Sequence, residues 1–328
     1  MTPLEAWVLG MVEGITEFLP VSSTGHLILT SWLLGLGKTA SQKDAVDNFE
    51  IIIQAGAILA VLGLYRARVG QMVRGLAWRA GARGIAQGTG SGGIASAEAG
   101  WRVARNLLIA FVPAAVVGLL AQKWIKAHLF GPGPVIGALA VGGLVMVAIA
   151  PWQSRRLAAD REAARIGAGA RGAGAGGAGG LSGAAQDALA RMSAGQALFI
   201  GLAQCLAMWP GTSRSFATIL AALLLGMSAV AAAEFSFLLG MITLTAASAY
   251  TGFKIVSGGH GAEFMEGIGG WLPLLCGLAT AWASAALAVD LFVKYLGKHT
   301  LALFGWWRLA VAAAVLLIAW HWGLTIAP

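Results

Sequence analysis

Six apolar stretches, each near the length needed to cross a hydrocarbon layer about 30 Å thick as a helix, constrain this chain more than anything else in it. They run roughly Phe49 to Tyr65, Ala104 to Gln122, Pro134 to Trp152, Ala231 to Phe253, Trp271 to Val293 and Leu301 to Trp322. Inside a bilayer every backbone amide has to find its partner within the protein, so such stretches fold as helices. Composition agrees. Hydrophobic residues make up 58% of the 328 and charged residues 11%, against about 25% charged in an ordinary soluble domain; the mean hydropathy is +0.77. Tyr65, Trp101, Trp124, Trp152, Trp271 and Trp322 stand at or near span ends, as interfacial anchors do. The expected fold is an all-α polytopic membrane protein forming one membrane domain over residues 1–328.

Charge sets the orientation. The formal net charge is +8. Thirteen of the fifteen arginines lie in two loops: Arg66, Arg68, Arg74, Arg79, Arg83, Arg102 and Arg105 in the first, and Arg155, Arg156, Arg161, Arg165, Arg171 and Arg191 in the second. Basic loops of this kind follow the positive-inside rule, so both are expected in the cytoplasm and both termini outside; no nucleic-acid partner is implied. The second loop, 153–193, contains the Gly/Ala tract Ile166 to Gly183, which has little to bury and reads as a flexible linker. The first, Ala80 to Gly100, is similar and shorter. Met1 to Val12 carries no Lys or Arg ahead of its apolar stretch, unlike a standard signal peptide. Cys205 and Cys276 fit neither a zinc spacing nor a disulfide framework.

Two regions break the span pattern. Pro3 to Leu36 carries Glu5, Glu13, Glu17, Pro20, Ser22, Ser23, Gly25 and His26. Ala194 to Gly226 is interrupted by Trp209-Pro-Gly-Thr-Ser-Arg-Ser215. Each reads as a re-entrant segment, a short helix, a polar break and a second short helix. Irregular backbone at membrane depth is tolerated only where protein buries it or a wet cavity solvates it. The two regions also resemble each other: Gly10-Met-Val-Glu-Gly against Gly201-Leu-Ala-Gln-Cys, and Pro20-Val-Ser-Ser-Thr against Pro210-Gly-Thr-Ser-Arg with a one-residue offset. By the arginine topology the first enters from outside and the second from inside. The expectation is an inverted repeat, 1–152 and 194–328, with the two breaks meeting near the midplane.

The breaks carry reactive groups. Glu13 and Glu17, one helical turn apart, share a helix face, and two like charges there call for a proton or a cation. A divalent ion with oxygen ligands answers that need. Ser23 offers a nucleophile, and His26, three residues on, a general base or acid. Gly25 lets backbone approach a ligand. Arg214 needs an anion, and its fork fits phosphate oxygens or one of Glu13, Glu17 and Glu234. Thr212, Ser213 and Ser215 add donors beside it.

At these residues the chain resembles the bacterial undecaprenyl-diphosphate phosphatases of the bacitracin-resistance type. The resemblance rests on Glu13-x-x-x-Glu17 with Phe-Leu-Pro-Val-Ser-Ser-Thr-Gly-His26, on Trp209-Pro-Gly-Thr-Ser-Arg-Ser215, and on Phe49-Glu-Ile-Ile-Ile-Gln54 and Ala233-Glu-Phe-Ser-Phe-Leu-Leu239. It implies hydrolysis of undecaprenyl diphosphate to the monophosphate in a bacterial inner membrane, at a site facing the periplasm, with Mg²⁺ or Ca²⁺ at Glu13 and Glu17. The lipid carrier of the cell wall would be recycled and bacitracin resisted. Glu13, Glu17, Ser23, His26 and Arg214 would be catalytic. Ser22, Thr24, Gly25, Gln54, Gly211, Thr212, Ser213 and Ser215 would hold the substrate. Ser23 would attack phosphorus with His26 as its base, or a metal-bound water would attack with Ser23 only a hydrogen-bond donor to phosphate. Two positions depart from the family pattern, Phe216 where a small residue is expected and Gly240 with no proline following. A lipid flippase, a rival with the same repeat, needs a site but no nucleophile, and an anion channel needs a basic pore. A homodimer is compatible with the sequence.

Overall fold

The computed structural model describes residues 1–81, 91–129, 132–171 and 187–321. The described residues form helices and no strands. In chain order the helices are α1 (Pro3–Thr16), α2 (Ser23–Leu33), α3 (Ala40–Leu64), α4 (Arg66–Arg79), α5 (Ser91–Leu129) and α6 (Pro132–Arg171). The second half repeats the series: α7 (Ala194–Leu206), α8 (Arg214–Leu224), α9 (Ala229–Ser257), α10 (Gly261–Gly267), α11 (Trp271–Leu296) and α12 (Ala302–His321). By length and composition α3, α5, α6, α9 and α11 can cross a membrane, while α7, α8 and α12 contribute shorter apolar segments. Trp322, the expected end of the sixth span, lies outside the described residues. So does 172–186, most of the Gly/Ala tract; residues 153–171, expected as loop, continue α6 as helix.

The halves match residue for residue at their entries. Thr2 and Ser193 cap α1 and α7 through reciprocal capping boxes with Glu5 and Gln196. At the same offset, Gly10 packs against Gly277 and Thr280 of α11, and Gly201 against Ala110 of α5. A methyl group at either glycine would collide with the neighbouring backbone, so both contacts depend on the missing side chain. The match persists at Glu13 and Gln204 and at Ser22 and Ser213, which precede the two eleven-residue half-helices α2 and α8.

The repeat is inverted. Near the end of α3 the chain meets the start of α9, where Arg68 pairs with Glu234 at 2.9 Å. Midway along α3, the Ile51 carbonyl accepts from Ser248, further along α9, at 3.0 Å. The equivalent helices α3 and α9 therefore run antiparallel. So do α6 and α12, tied by Leu301 N–H to Gln153 Oε1 at one end and by Arg308 to the Leu139 carbonyl further along. Arg68, expected among the loop arginines, is thus a buried residue of α4 with an acidic partner.

Candidate active site

The two breaks, 17–22 and 207–213, meet inside the molecule. Each ends on a serine in the left-handed region, Ser22 at φ 75° and Ser213 at φ 72°. Such backbone costs a non-glycine residue roughly 1–2 kcal/mol, and here it turns the chain sharply into the next half-helix. The first turns of α2 and α8 thereby present free amides, as helix N-termini do.

Glu17, just past α1, joins the halves. Its Oε1 accepts from Arg214 Nη2 at 3.1 Å and its Oε2 accepts from Ser23 Oγ at 2.5 Å. Of the three acids open to Arg214 in the sequence, Glu17 is the one it pairs with; Glu234 is held by Arg68. The guanidinium also donates to the Ser236 carbonyl at 3.0 Å and lies 5.6 Å from the Phe18 ring centre. A side chain at Gly240 would occupy the space of that guanidinium. Gly240, which opens the stretch that lacks the family's proline, is therefore Arg214's socket. Ser215 donates to the Leu19 carbonyl at 2.9 Å and shares a 3.0 Å hydrogen bond with Ser213, whose Oγ caps α8 at Phe216 N–H.

Glu13 is fully buried, and neither of its oxygens has a hydrogen-bond partner among the described residues. It faces the charges of Glu17, Glu50 and Arg214. Gln204, its counterpart in the second half, is also buried, with both amide atoms unpartnered among the described residues. Among the described residues no three His, Cys, Asp or Glu side chains converge as a complete metal site. An orphaned buried carboxylate nonetheless fits a hard cation whose remaining ligands come from a phosphate group.

His26 stands apart from Ser23. Its Nδ1 lies 2.8 Å from the Ser22 carbonyl, and its Nε2 accepts from Trp307 Nε1 at 2.9 Å. That pattern puts the proton of a neutral ring on Nδ1 and covers the lone pair with Trp307. The serine–histidine couple suggested by spacing is not formed; the hydroxyl of Ser23 is turned to Glu17 instead. The expected contacts Thr24, Thr212 and Gln54 make no side-chain hydrogen bond among the described residues. Gly25 lies against Leu139, and Gly211 adopts φ 94°.

Sequence reasoning missed two residues. Glu50, inside the quoted Phe49 to Gln54 motif, accepts from Ser31 at 2.8 Å and shares Glu13's surroundings. Arg308 lies in α12, taken as a plain span. It is 0% exposed and donates to five backbone carbonyls: Ala138 and Leu139 of α6, Pro20 of the first break, Gly211 and Thr212 of the second. Gly142 makes room for it, and its guanidinium lies 5.3 Å from the centre of the Phe216 ring. Phe216, the other departure from the family pattern, covers this clamp. An arginine inside an apolar span was the available signal.

Inverted halves with broken helices, an acid–hydroxyl–guanidinium triad and a buried carboxylate define a multi-pass membrane protein with a charged centre among its own helices. Comparison with known proteins narrows this. Residues 6–314 match the family model described as bacitracin resistance protein BacA, and the chain belongs to that family. An undecaprenyl-diphosphatase of Sorangium cellulosum is 42% identical over 95% of this chain and 85% of its own length. Undecaprenyl-diphosphatase 2 of Rhodospirillum rubrum is 40% identical over 97% and 95%, and an undecaprenyl-diphosphatase of Methylibium petroleiphilum 39% over the same shares.

Proposed function

We propose that this protein is a membrane phosphatase that cleaves the terminal phosphoanhydride of undecaprenyl diphosphate, releasing inorganic phosphate and leaving undecaprenyl phosphate. The relatives' names supply the substrate. The observation that carries the reading is Glu17, which holds a hydroxyl on one oxygen and a guanidinium on the other where two helix N-termini meet.

The terminal phosphoryl group takes up the Arg214 fork, which matches its oxygens better than a single carboxylate oxygen does. Ser23 Oγ attacks phosphorus and passes its proton to Glu17 Oε2; the bond to the bridging oxygen breaks and undecaprenyl phosphate leaves. Water then cleaves the phosphoserine, and Glu17 returns the proton to Oγ. Catalysis of this kind is positioning plus charge stabilisation, which the helix N-termini and Arg214 supply. His26, held between Ser22 and Trp307, orients the break and leaves the base role to Glu17. Glu13, with Glu17 beside it, would hold Mg²⁺ or Ca²⁺, which supplies charge neutralisation to the diphosphate.

The same reading places the chain in a bacterial inner membrane with the breaks open to the periplasm. The second break touches α6 at Pro134 and Val135, and Gly25, just past the first break, lies against Leu139, whereas Arg155 and Arg156 lie about 24 Å further along that helix. Arginines at that end belong inside. Recycling of the cell-wall lipid carrier, and bacitracin resistance, follow from the activity. Inverted broken helices also favour a lipid flippase. Purified protein decides between them: phosphate release from undecaprenyl diphosphate, lost in Ser23→Ala, supports hydrolysis, and a folded parent that releases none is a flippase.

A further inference from the structure

A second site lies at the opposite end of α7 from the break, about 20 Å away along the helix. There α4, α5 and the entry to α7 flank an open basic cavity of about 520 Å³. Four arginines line it: Arg79 of α4, Arg102 and Arg105 of α5, and Arg191, with Trp78 and Trp101 between them. Two are neutralised, Arg102 by Glu98 at 2.6 Å and Arg191 by Asp187 at 3.5 Å. The other two are not. Arg105 holds only the neutral amide oxygen of Asn106, at 3.1 and 3.3 Å. Arg79 has no ionic partner among the described residues. The wall is anchored, because Asn106 also donates to the Met192 carbonyl at 2.7 Å. Two guanidinium groups uncompensated among the described residues, side by side in one open cavity, call for an anion with several oxygens.

The surroundings say which anion. Beyond Arg105 on the same face of α5, Leu108, Val112, Val116 and Leu119 are exposed at helical spacing. An apolar stripe thus leads away from the cavity, and indoles beside it suit the depth of lipid headgroups. We propose that this cavity binds the phosphate of an anionic phospholipid, whose acyl chains lie along the α5 stripe. Free inorganic phosphate shares the headgroup's oxygen chemistry, but it would have no use for the stripe.

The test is native mass spectrometry of full-length protein released from vesicles of phosphatidylcholine with a minor fraction of phosphatidylglycerol. The parent is expected to retain phosphatidylglycerol in preference to phosphatidylcholine, and millimolar inorganic phosphate should not displace it. Arg79→Gln with Arg105→Gln should weaken retention about thirty-fold, and Arg79→Gln alone about five-fold, the five-fold step being about 1 kcal/mol of attraction per basic residue at a lipid surface. Lys254→Gln with Lys298→Gln, an equal change of charge elsewhere, should leave it unchanged. Equal retention by the parent and the arginine variants, or of the two lipids by the parent, would overturn the proposal. Displacement by inorganic phosphate would overturn it too and assign the cavity to free anions. Should the double variant fail to fold, the exposed Arg79→Gln decides by the same criteria.

Discussion

Ser22 and Ser213 hold the same left-handed backbone, φ 75° and 72°, each one residue ahead of a half-helix. They differ in what the side chain does. Ser213 caps α8 at Phe216 N–H, whereas Ser22 makes no capping bond. Glycine adopts this backbone freely, so Ser22→Gly should raise stability by up to about 1 kcal/mol. Ser213→Gly should show no gain, because the cap it loses is worth about as much. Thermal unfolding midpoints in detergent compare the two; a larger gain for Ser213→Gly would refute the difference.

Ser23→Ala separates the two routes of phosphoryl transfer. Loss of a nucleophile removes essentially all turnover, on the order of 10⁴-fold or more, whereas loss of a hydrogen-bond donor costs roughly 10- to 100-fold. The expected result is the larger loss, measured as phosphate release. A residual rate within about 100-fold of the parent excludes Ser23 as the attacking group. Glu17→Gln is expected to be as damaging, and His26→Ala less so.

Gly240→Ala and Gly142→Ala probe the two guanidinium sockets. The first presses on Arg214 and the second on Arg308. Gly240→Ala should lower turnover at least tenfold with a modest change in unfolding midpoint. Gly142→Ala should act on stability, and Arg308→Met more so, by about 3–5 kcal/mol, since five carbonyls lose their donor. An Arg308→Met protein that unfolds with the parent would show the clamp to be dispensable.

A cation at Glu13 can be read without turnover. Adding Mg²⁺ or Ca²⁺ should raise the parent's unfolding midpoint and chelator should lower it, because a ligand bound to the folded state alone stabilises it. Glu13→Gln should abolish that response and raise the cation concentration needed for phosphate release. Full turnover of the parent in chelator is the contrary result.

Orientation is open to labelling. With Cys205 and Cys276 replaced by Ala, Asp187→Cys, exposed ahead of α7, should react with an impermeant thiol reagent only after lysis. Labelling in intact cells would place the arginine end outside and the breaks inside.

The spans, the two breaks and their likeness were legible because a bilayer writes them as apolar runs of fixed length and as polar residues where lipid forbids them. Glu13, Glu17, Ser23 and Arg214 stood out for the same reason, being reactive groups in apolar sequence. What spacing could not give was direction. Ser23 and His26 lie three residues apart, yet α2 begins between Ser22 and Ser23, and the imidazole is drawn to the Ser22 carbonyl and Trp307 while the hydroxyl turns to Glu17. Arg308 stayed hidden because its partners are carbonyls, which every residue has, and because its socket, Gly142, is one glycine among forty-seven.

The clamp at Arg308 also fixes a sequence of events in the life of the chain. Pro20 leaves the ribosome before Gly211 and Thr212, and the guanidinium that fastens all three arrives later still, with α12. A nascent chain therefore inserts its acids and hydroxyls first and carries them with the two breaks unfastened until α12 is made. Translation arrested before residue 308, or a nonsense codon there, leaves a polypeptide with every reactive side chain and no closed centre, the kind of unfinished insert that membrane proteases remove.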